Sequence, residues 1–115
     1  MRPGALIQTA EQMEYPHPEH QRYFLRDLIT ALEHPDLSLQ RGRLEVHGEI
    51  LPHTHKDCTE VSYILSGKAL CTLGDRTYPV SSGSCIVAPP GMPLGLKNTG
   101  DQPLELLTLC TPPLS

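Results

Sequence analysis

The sequence predicts a single all-β domain, and three observations support this prediction. A chain of 115 residues is long enough for one hydrophobic core but short for two. Twelve prolines and nine glycines indicate many short elements that are separated by turns. Between these turns, short β-compatible runs recur at a spacing that is typical of a sandwich or barrel. We therefore expect one β-barrel, with an N-terminal arm.

Residues 1–36 differ in composition from the rest of the chain, and we predict that they form an arm or extra strands. Several prolines and the three histidines His17, His20 and His34 interrupt this stretch. Its one coherent run, residues 23–32, fits neither the helical nor the strand period cleanly. We interpret this run as a strand or short arm that packs on the barrel or on a partner subunit, and the three histidines as solvated loop residues.

Residues 37–115 are predicted to form the barrel, because apolar alternation and turn signals follow one another along this whole segment. Gly67, Gly74 and Gly83 mark three of the turns, and the pair Pro89-Pro90 marks another. The predicted strand runs are Leu37 to Gly48, Val61 to Leu65, Ala69 to Leu73, Arg76 to Val80, Ser84 to Ala88 and Leu104 to Cys110.

The composition argues against several classes of partner. Nine basic and thirteen acidic residues give a net charge of −4 without a basic cluster, so no nucleic-acid partner is expected. No apolar run resembles a secretory signal or approaches the roughly 20 residues of a membrane span, so we expect a cytoplasmic protein without a membrane partner. A small neutral or anionic ligand is the more plausible partner.

The four cysteines, Cys58, Cys71, Cys85 and Cys110, are spread along the chain without a C-x-x-C pair. This spacing favours reduced thiols that serve mainly as small core side chains.

The run His53-Thr54-His55 is the strongest candidate for chemistry. Alternation along a strand places both imidazoles on one face, close enough to reach one metal ion. A hairpin between this run and the next strand would fold Glu60 back over the two histidines. Two histidines and a carboxylate around open positions suit redox-active iron and other first-row divalent metals. By spacing alone, solvated turn histidines and a surface glutamate are the favoured interpretation of this pattern.

The glycines and prolines around these residues resemble the cupin superfamily. The run from Gly48 through His53, His55 and Glu60 to Gly67 is similar to the first cupin motif, and the run from Gly83 through Gly91 to Asn98 is similar to the second. The resemblance implies a double-stranded β-helix, or jelly-roll, barrel. It also implies one divalent transition metal ion held by His53, His55 and Glu60, and a homodimer.

The sequence departs from the second motif at one position. Where the family has a third metal-binding histidine, this chain has Leu94, which cannot bind a metal. Three consequences stay open: a three-ligand site with more open positions, completion of the ligand set by His47 or a cysteine, or a weakened or lost metal site.

The pocket is predicted from strand alternation and from the second motif. Ser62 and Ile64 share the face of Glu60, while Met92 and Leu94 lie where the family's additional ligand would project. His47 is a further candidate for the substrate pocket. Such a lining suits a small, partly apolar molecule.

Two functions remain open at this point. The first is a metal-dependent enzyme on a small organic molecule, of dioxygenase, isomerase or lyase type, with iron, manganese, nickel or zinc not distinguished. The alternative is a non-catalytic small-molecule-binding or sensor module, so whether the protein is an enzyme is left undecided. In either case the arm is a candidate for dimerisation through pairing with another subunit.

Overall fold

A computed structural model describes residues 4–113 of the chain and confirms the predicted all-β class. The described part contains no α-helix and one 3₁₀ turn, Thr9–Glu11. It also contains no helix of the length and hydropathy that spanning a membrane requires. Residues 1–3 of the predicted arm and 114–115 of the predicted barrel lie outside the described residues. The strands are β1 Tyr15–Pro16, β2 Gln21–Ile29, β3 Ser38–His53, β4 Thr59–Ser66, β5 Lys68–Leu73, β6 Arg76–Ser81, β7 Cys85–Ala88, β8 Leu94–Asn98 and β9 Leu104–Thr111.

The long strand β3 belongs to both halves of the barrel. Its first half, residues 38–44, lies between β2 and β9, and its last part, residues 49–53, pairs with β8. The strand order is β6-β5-β8-β3-β9-β4-β7, with β2 added on β3 and β1 on β2. Burial alternates along β9, so this strand turns one face to the interior. The end of β3 pairs with β8, whereas β4 pairs with β7 and β9, so the two segments belong to opposite halves of the barrel.

A bulge at residues 45–48 turns β3 from one half to the other. His47 adopts a left-handed conformation, with a φ of 67°. The β2–β3 register jumps here from Tyr23 opposite Leu44 to Gln21 opposite Glu49. A Cβ on Gly48 would lie only 2.9 Å from the carbonyl oxygen of Gln21, so glycine is needed for this close approach. The bulge thus allows the start of β2 to reach the far end of β3.

The N-terminal segment packs on the barrel of its own chain. The run that fitted neither period forms β2, which pairs antiparallel with β3. Tyr23 and Leu25 of β2 are buried in the hydrophobic core together with barrel residues. Outside the core, Arg43 of β3 forms an ion pair with Glu14 at 2.7 Å. Strand pairing, core packing and this ion pair together fix the segment that precedes β3.

The cysteines behave as predicted in the described structure. All four are free thiols, of which Cys58, Cys71 and Cys110 are buried and Cys85 is exposed. Burial raises the pKa of the Cys71 thiol, as expected for an inert core side chain.

Candidate metal centre

His53, His55 and Glu60 meet across the interior of the barrel. His53 is the last residue of β3, His55 follows two residues later, and Glu60 is the second residue of β4. The hairpin that we predicted between the two strands is wrong, because β9 pairs with both β3 and β4 and lies between them. The jelly-roll connection, rather than a hairpin, brings the carboxylate to the histidines.

The three side chains form a compact group of possible ligand atoms. Oε1 of Glu60 lies 3.3 Å from Nε2 of His53 and 3.0 Å from Nε2 of His55. One ligand atom from each residue falls within 4.8 Å of the others. The Glu60 side chain is only 10% exposed, so water screens this arrangement poorly. Two imidazoles and a carboxylate at this separation fit a first-row divalent metal ion.

The orientation of His53 also suits metal binding. Its Nδ1 lies 2.9 Å from the carbonyl oxygen of Leu51. Because a carbonyl oxygen only accepts hydrogen bonds, Nδ1 carries a proton, and Nε2 is the nitrogen that faces Glu60. Histidines that bind metals usually donate their other N–H in this way. The hydrogen bond to Glu60 raises the pKa of His53, so a proton and a metal ion compete for Nε2.

The second predicted motif holds His55 through the backbone. The N–H of Gly91 donates a hydrogen bond of 2.9 Å to the carbonyl oxygen of His55. Gly91 has a φ of 82°, a left-handed conformation that glycine adopts without strain. The Pro89-Pro90-Gly91 turn thereby fixes the loop that follows β3.

Leu94 closes one side of the group with an apolar wall. It pairs with His53 in the β3–β8 register and is 2% exposed. Together with Met92 it borders a small void beside the three candidate ligands. Cys58 borders the same void, but burial raises the pKa of its thiol and so opposes the thiolate form that binds metals. His47 is exposed at the bulge of β3 and is not one of the grouped ligand atoms.

A cavity of about 260 Å³ opens on the other side of the group. Its volume lies just below the usual range for drug-sized ligands, which suits a small molecule. Of the five predicted pocket residues, Met92 and Leu94 border the small void, Ser62 and Ile64 are buried on the inward face of β4, and His47 is exposed. None of the five lines the cavity. The lining consists of His17, Glu19, His20, Tyr23, Leu25, Gln40, Ile50, His53, Thr54, His55, Glu60 and Thr108.

One side of this cavity was not predicted from the sequence. His17 and His20 were interpreted as solvated loop residues, but both contribute to the lining. We call the group His17, Glu19 and His20 the arm wall, and the group His53, His55 and Glu60 the barrel wall. The only sequence feature that could have indicated this lining is the pair of histidines three residues apart. Histidines in a solvated loop would show the same spacing.

Backbone contacts orient both histidines of the arm wall. Nδ1 of His20 accepts a hydrogen bond of 3.1 Å from the N–H of Leu51, and Nδ1 of His17 accepts one of 3.1 Å from the N–H of Glu19. Burial lowers the pKa of His20 to about 4, and the neighbouring His17 adds to this effect. Burial likewise lowers the pKa of His17. The arm wall thus presents neutral imidazoles to the cavity.

Comparison with known proteins gives the same fold. A sequence model described as a cupin domain matches residues 40–110. The uncharacterized protein MJ1618 of Methanocaldococcus jannaschii is 34% identical over 101 residues, which cover 81% of each chain. H2HPP isomerase of Bacillus subtilis is 35% identical over 57 residues, or 49% of this chain and 24% of that protein. The structure of the polyketide cyclase RemF from Streptomyces resistomycificus has a TM-score of 0.82 at 22% identity, covering 94% of this chain and 79% of that one.

Proposed function

This chain belongs to the cupin domain family, and we propose that it is a metal-dependent enzyme that acts on a small organic molecule. One divalent transition metal ion would be held by His53, His55 and Glu60. A bound ion supplies Lewis acidity, which orients and polarises oxygen atoms of a ligand. Iron, manganese, nickel and zinc all suit this set of side chains.

One observation carries the proposal: the three ligand atoms converge and His53 is already oriented. The carbonyl of Leu51 keeps the proton on Nδ1 of His53, and the buried carboxylate of Glu60 faces Nε2 of both histidines. A group built only for packing has no need to bring two imidazoles onto one buried carboxylate. The cavity of about 260 Å³ beside it gives a small molecule access to the same atoms.

The residues of the chain divide the work in this proposal. Glu60 supplies the negative charge and the histidines supply neutral nitrogen atoms. Leu94 and Met92 exclude water on the side of the small void, so a ligand reaches the metal site from the cavity. Isomerase, lyase and dioxygenase chemistry are each compatible with such a site. The H2HPP isomerase match favours an isomerase among them, although it covers about a quarter of that protein.

A second candidate function is a binding or sensor module without turnover, and Leu94 favours it. We interpret this leucine as the replacement of the family's additional histidine, which would weaken metal binding. The two functions differ in a simple measurement, since an enzyme needs the ion for turnover whereas a module binds its small molecule with or without it. The homodimer and the cytoplasmic location also remain predictions. Sedimentation of the full chain, compared with a chain that lacks residues 1–20, tests whether the arm contributes to a dimer.

The direct test is elemental analysis of protein purified without an affinity tag. We expect close to one metal ion per chain in the natural protein, and almost none in the His53→Ala, His55→Ala double variant. His34→Ala is the matched control, because His34 is an exposed histidine far along the chain from the group. Equal metal content in the double variant would overturn the assignment. A natural protein that takes up no metal on reconstitution would favour the sensor module.

A further inference from the structure

The arm wall lies beside the candidate metal ligands without belonging to them. The ring centroids of His20 and His53 are 5.1 Å apart. Among the described residues, however, the ligand atoms that group within 4.8 Å come from His53, His55 and Glu60 alone. His20 is therefore set back from the ion site while it lines the same cavity.

The backbone of Leu51 fixes opposite tautomers in the two neighbouring histidines. Its carbonyl oxygen accepts from Nδ1 of His53, which leaves Nε2 as the metal-binding atom. Its N–H donates to Nδ1 of His20, so that nitrogen has no proton and the neutral ring carries its proton on Nε2. A protonated Nε2 is a hydrogen-bond donor and cannot bind a metal. His20 is thus prepared to donate to a ligand.

From this arrangement we infer that the Nε2–H of His20 binds the ligand of the cavity, and that this ligand carries a carboxylate or enolate oxygen. The inference rests on the proposed function, because a second oxygen of the same ligand would face the barrel wall. A divalent ion beside one glutamate leaves a net positive charge, which favours an anion. Glu19 opposes this only weakly, since its side chain is exposed and screened by water.

The ring of His17 packs against the ring of His20. The two rings lie 4.2 Å apart at a tilt of 34°. His17 is itself fixed at two points, because its backbone N–H donates to the carbonyl oxygen of Tyr23 at 2.8 Å and its Nδ1 accepts from Glu19. The arm wall therefore holds the His20 ring in place before any ligand arrives.

The test begins with the proton on His20. Long-range ¹H–¹⁵N spectra of the metal-free and the zinc-loaded protein report which ring nitrogen is protonated. We expect the Nε2–H form in both, and a shift of the Nε2 resonance when malonate is added. Malonamide is the neutral match in shape, and we expect it to bind the zinc-loaded protein at least about tenfold more weakly than malonate.

Two variants separate the donor from the ring. His20→Phe keeps an aromatic ring against His17 but removes the donor, and should weaken malonate binding about tenfold. His20→Gln places an amide N–H near the position of Nε2 and should recover most of the affinity. Both variants should bind zinc as the natural protein does. His34→Phe is the control for loss of an exposed histidine.

The outcomes distinguish the two proposals. A proton on Nδ1 of His20, loss of zinc in His20→Phe, or unchanged malonate affinity in that variant would each overturn the inference. Failure of the natural protein to bind zinc or another divalent ion would instead refute the proposed function. In that case the metal-free spectra decide about His20, because a malonate-induced shift of its Nε2 supports the donor role and an unchanged resonance refutes it.

Discussion

The two walls of the cavity are built from different parts of the chain and in different ways. The barrel wall lies within residues 40–110, which match the cupin family model, and its residues are paired with one another. The arm wall precedes that segment, and its two histidines are oriented by backbone N–H groups. The family segment therefore contains the three candidate metal ligands, whereas the preceding segment supplies the opposite wall of the cavity.

The largest effect is expected at the carboxylate of the barrel wall. Glu60→Gln keeps the shape of the side chain but removes its charge, and should lower zinc affinity by more than about 100-fold. Glu19→Gln is the matched control, because Glu19 also lines the cavity but lies in the arm wall. Its zinc affinity should stay within about threefold of the natural protein. Equal losses in both variants, measured by competition with a chelator, would break the distinction between the walls.

The bulge that brings the two walls together gives the next largest effect. Gly48→Ala would place a Cβ 2.8 Å from the carbonyl oxygen of Glu45 and 2.9 Å from that of Gln21. Since backbone must move to relieve this, we expect about 2–3 kcal/mol less stability in urea unfolding. Gly4→Ala is the control, because its Cβ would meet nothing within 4 Å. A Gly48→Ala protein as stable as Gly4→Ala would contradict the proposed role of the bulge.

The apolar side of the barrel wall predicts a gain of function. Leu94→His adds an imidazole opposite His53 and should raise zinc affinity about tenfold, since structural zinc sites prefer four ligands. Leu96→His carries a similar burial cost two residues further along the same strand, outside the void at the metal centre. Isothermal titration of both variants separates coordination from destabilisation. Equal zinc affinity in the two variants would show that position 94 does not face the ion.

The smallest effect concerns the ion pair that anchors the arm segment. Hydrogen bonding to Arg43 holds the pKa of Glu14 below its usual 4.5, so the folded state releases this proton more readily than the unfolded state. The pair therefore contributes stability above about pH 4.5, which is lost as the pH falls through the lower folded value. We expect the free energy of unfolding of Glu14→Gln to be up to about 1 kcal/mol lower than that of the natural protein at neutral pH. Because the variant has no carboxyl group to protonate at this position, its stability should fall less on acidification.

The control for this ion pair lies within the barrel. Glu105→Gln removes the ion pair with Arg41, whose atoms are 3.3 Å apart and which joins β3 to β9. If the two walls are held independently, the Glu105→Gln variant should bind malonate with the same affinity as the natural protein. A larger effect on malonate binding from Glu105→Gln than from Glu14→Gln would show that the barrel, and not the anchor at Glu14, positions the arm wall.

Much of the barrel wall was predictable from sequence, because its residues lie in short segments that resemble the cupin motifs. The spacing of His53 and His55, the alternation that buries Glu60 with Ser62, and the turn at Gly91 are all properties of adjacent residues. Strand β2 was harder to assign, since its apolar positions follow neither period. It pairs antiparallel with β3, and its residues Tyr23 and Leu25 lie in the hydrophobic core. The burial of these two side chains depends on residues far away in the chain.

The sequence by itself determined the all-β fold, the turns and the three side chains that are candidates for binding a metal. Only the tertiary structure decided that Glu60 reaches His53 across the barrel rather than through a hairpin, and that His17 and His20 form the opposite wall. The physical reason is that strand periodicity and turn chemistry act between neighbours in the chain. The cavity depends instead on the bulge at Gly48 and on contacts between segments 30 or more residues apart, such as the hydrogen bond from Leu51 to His20.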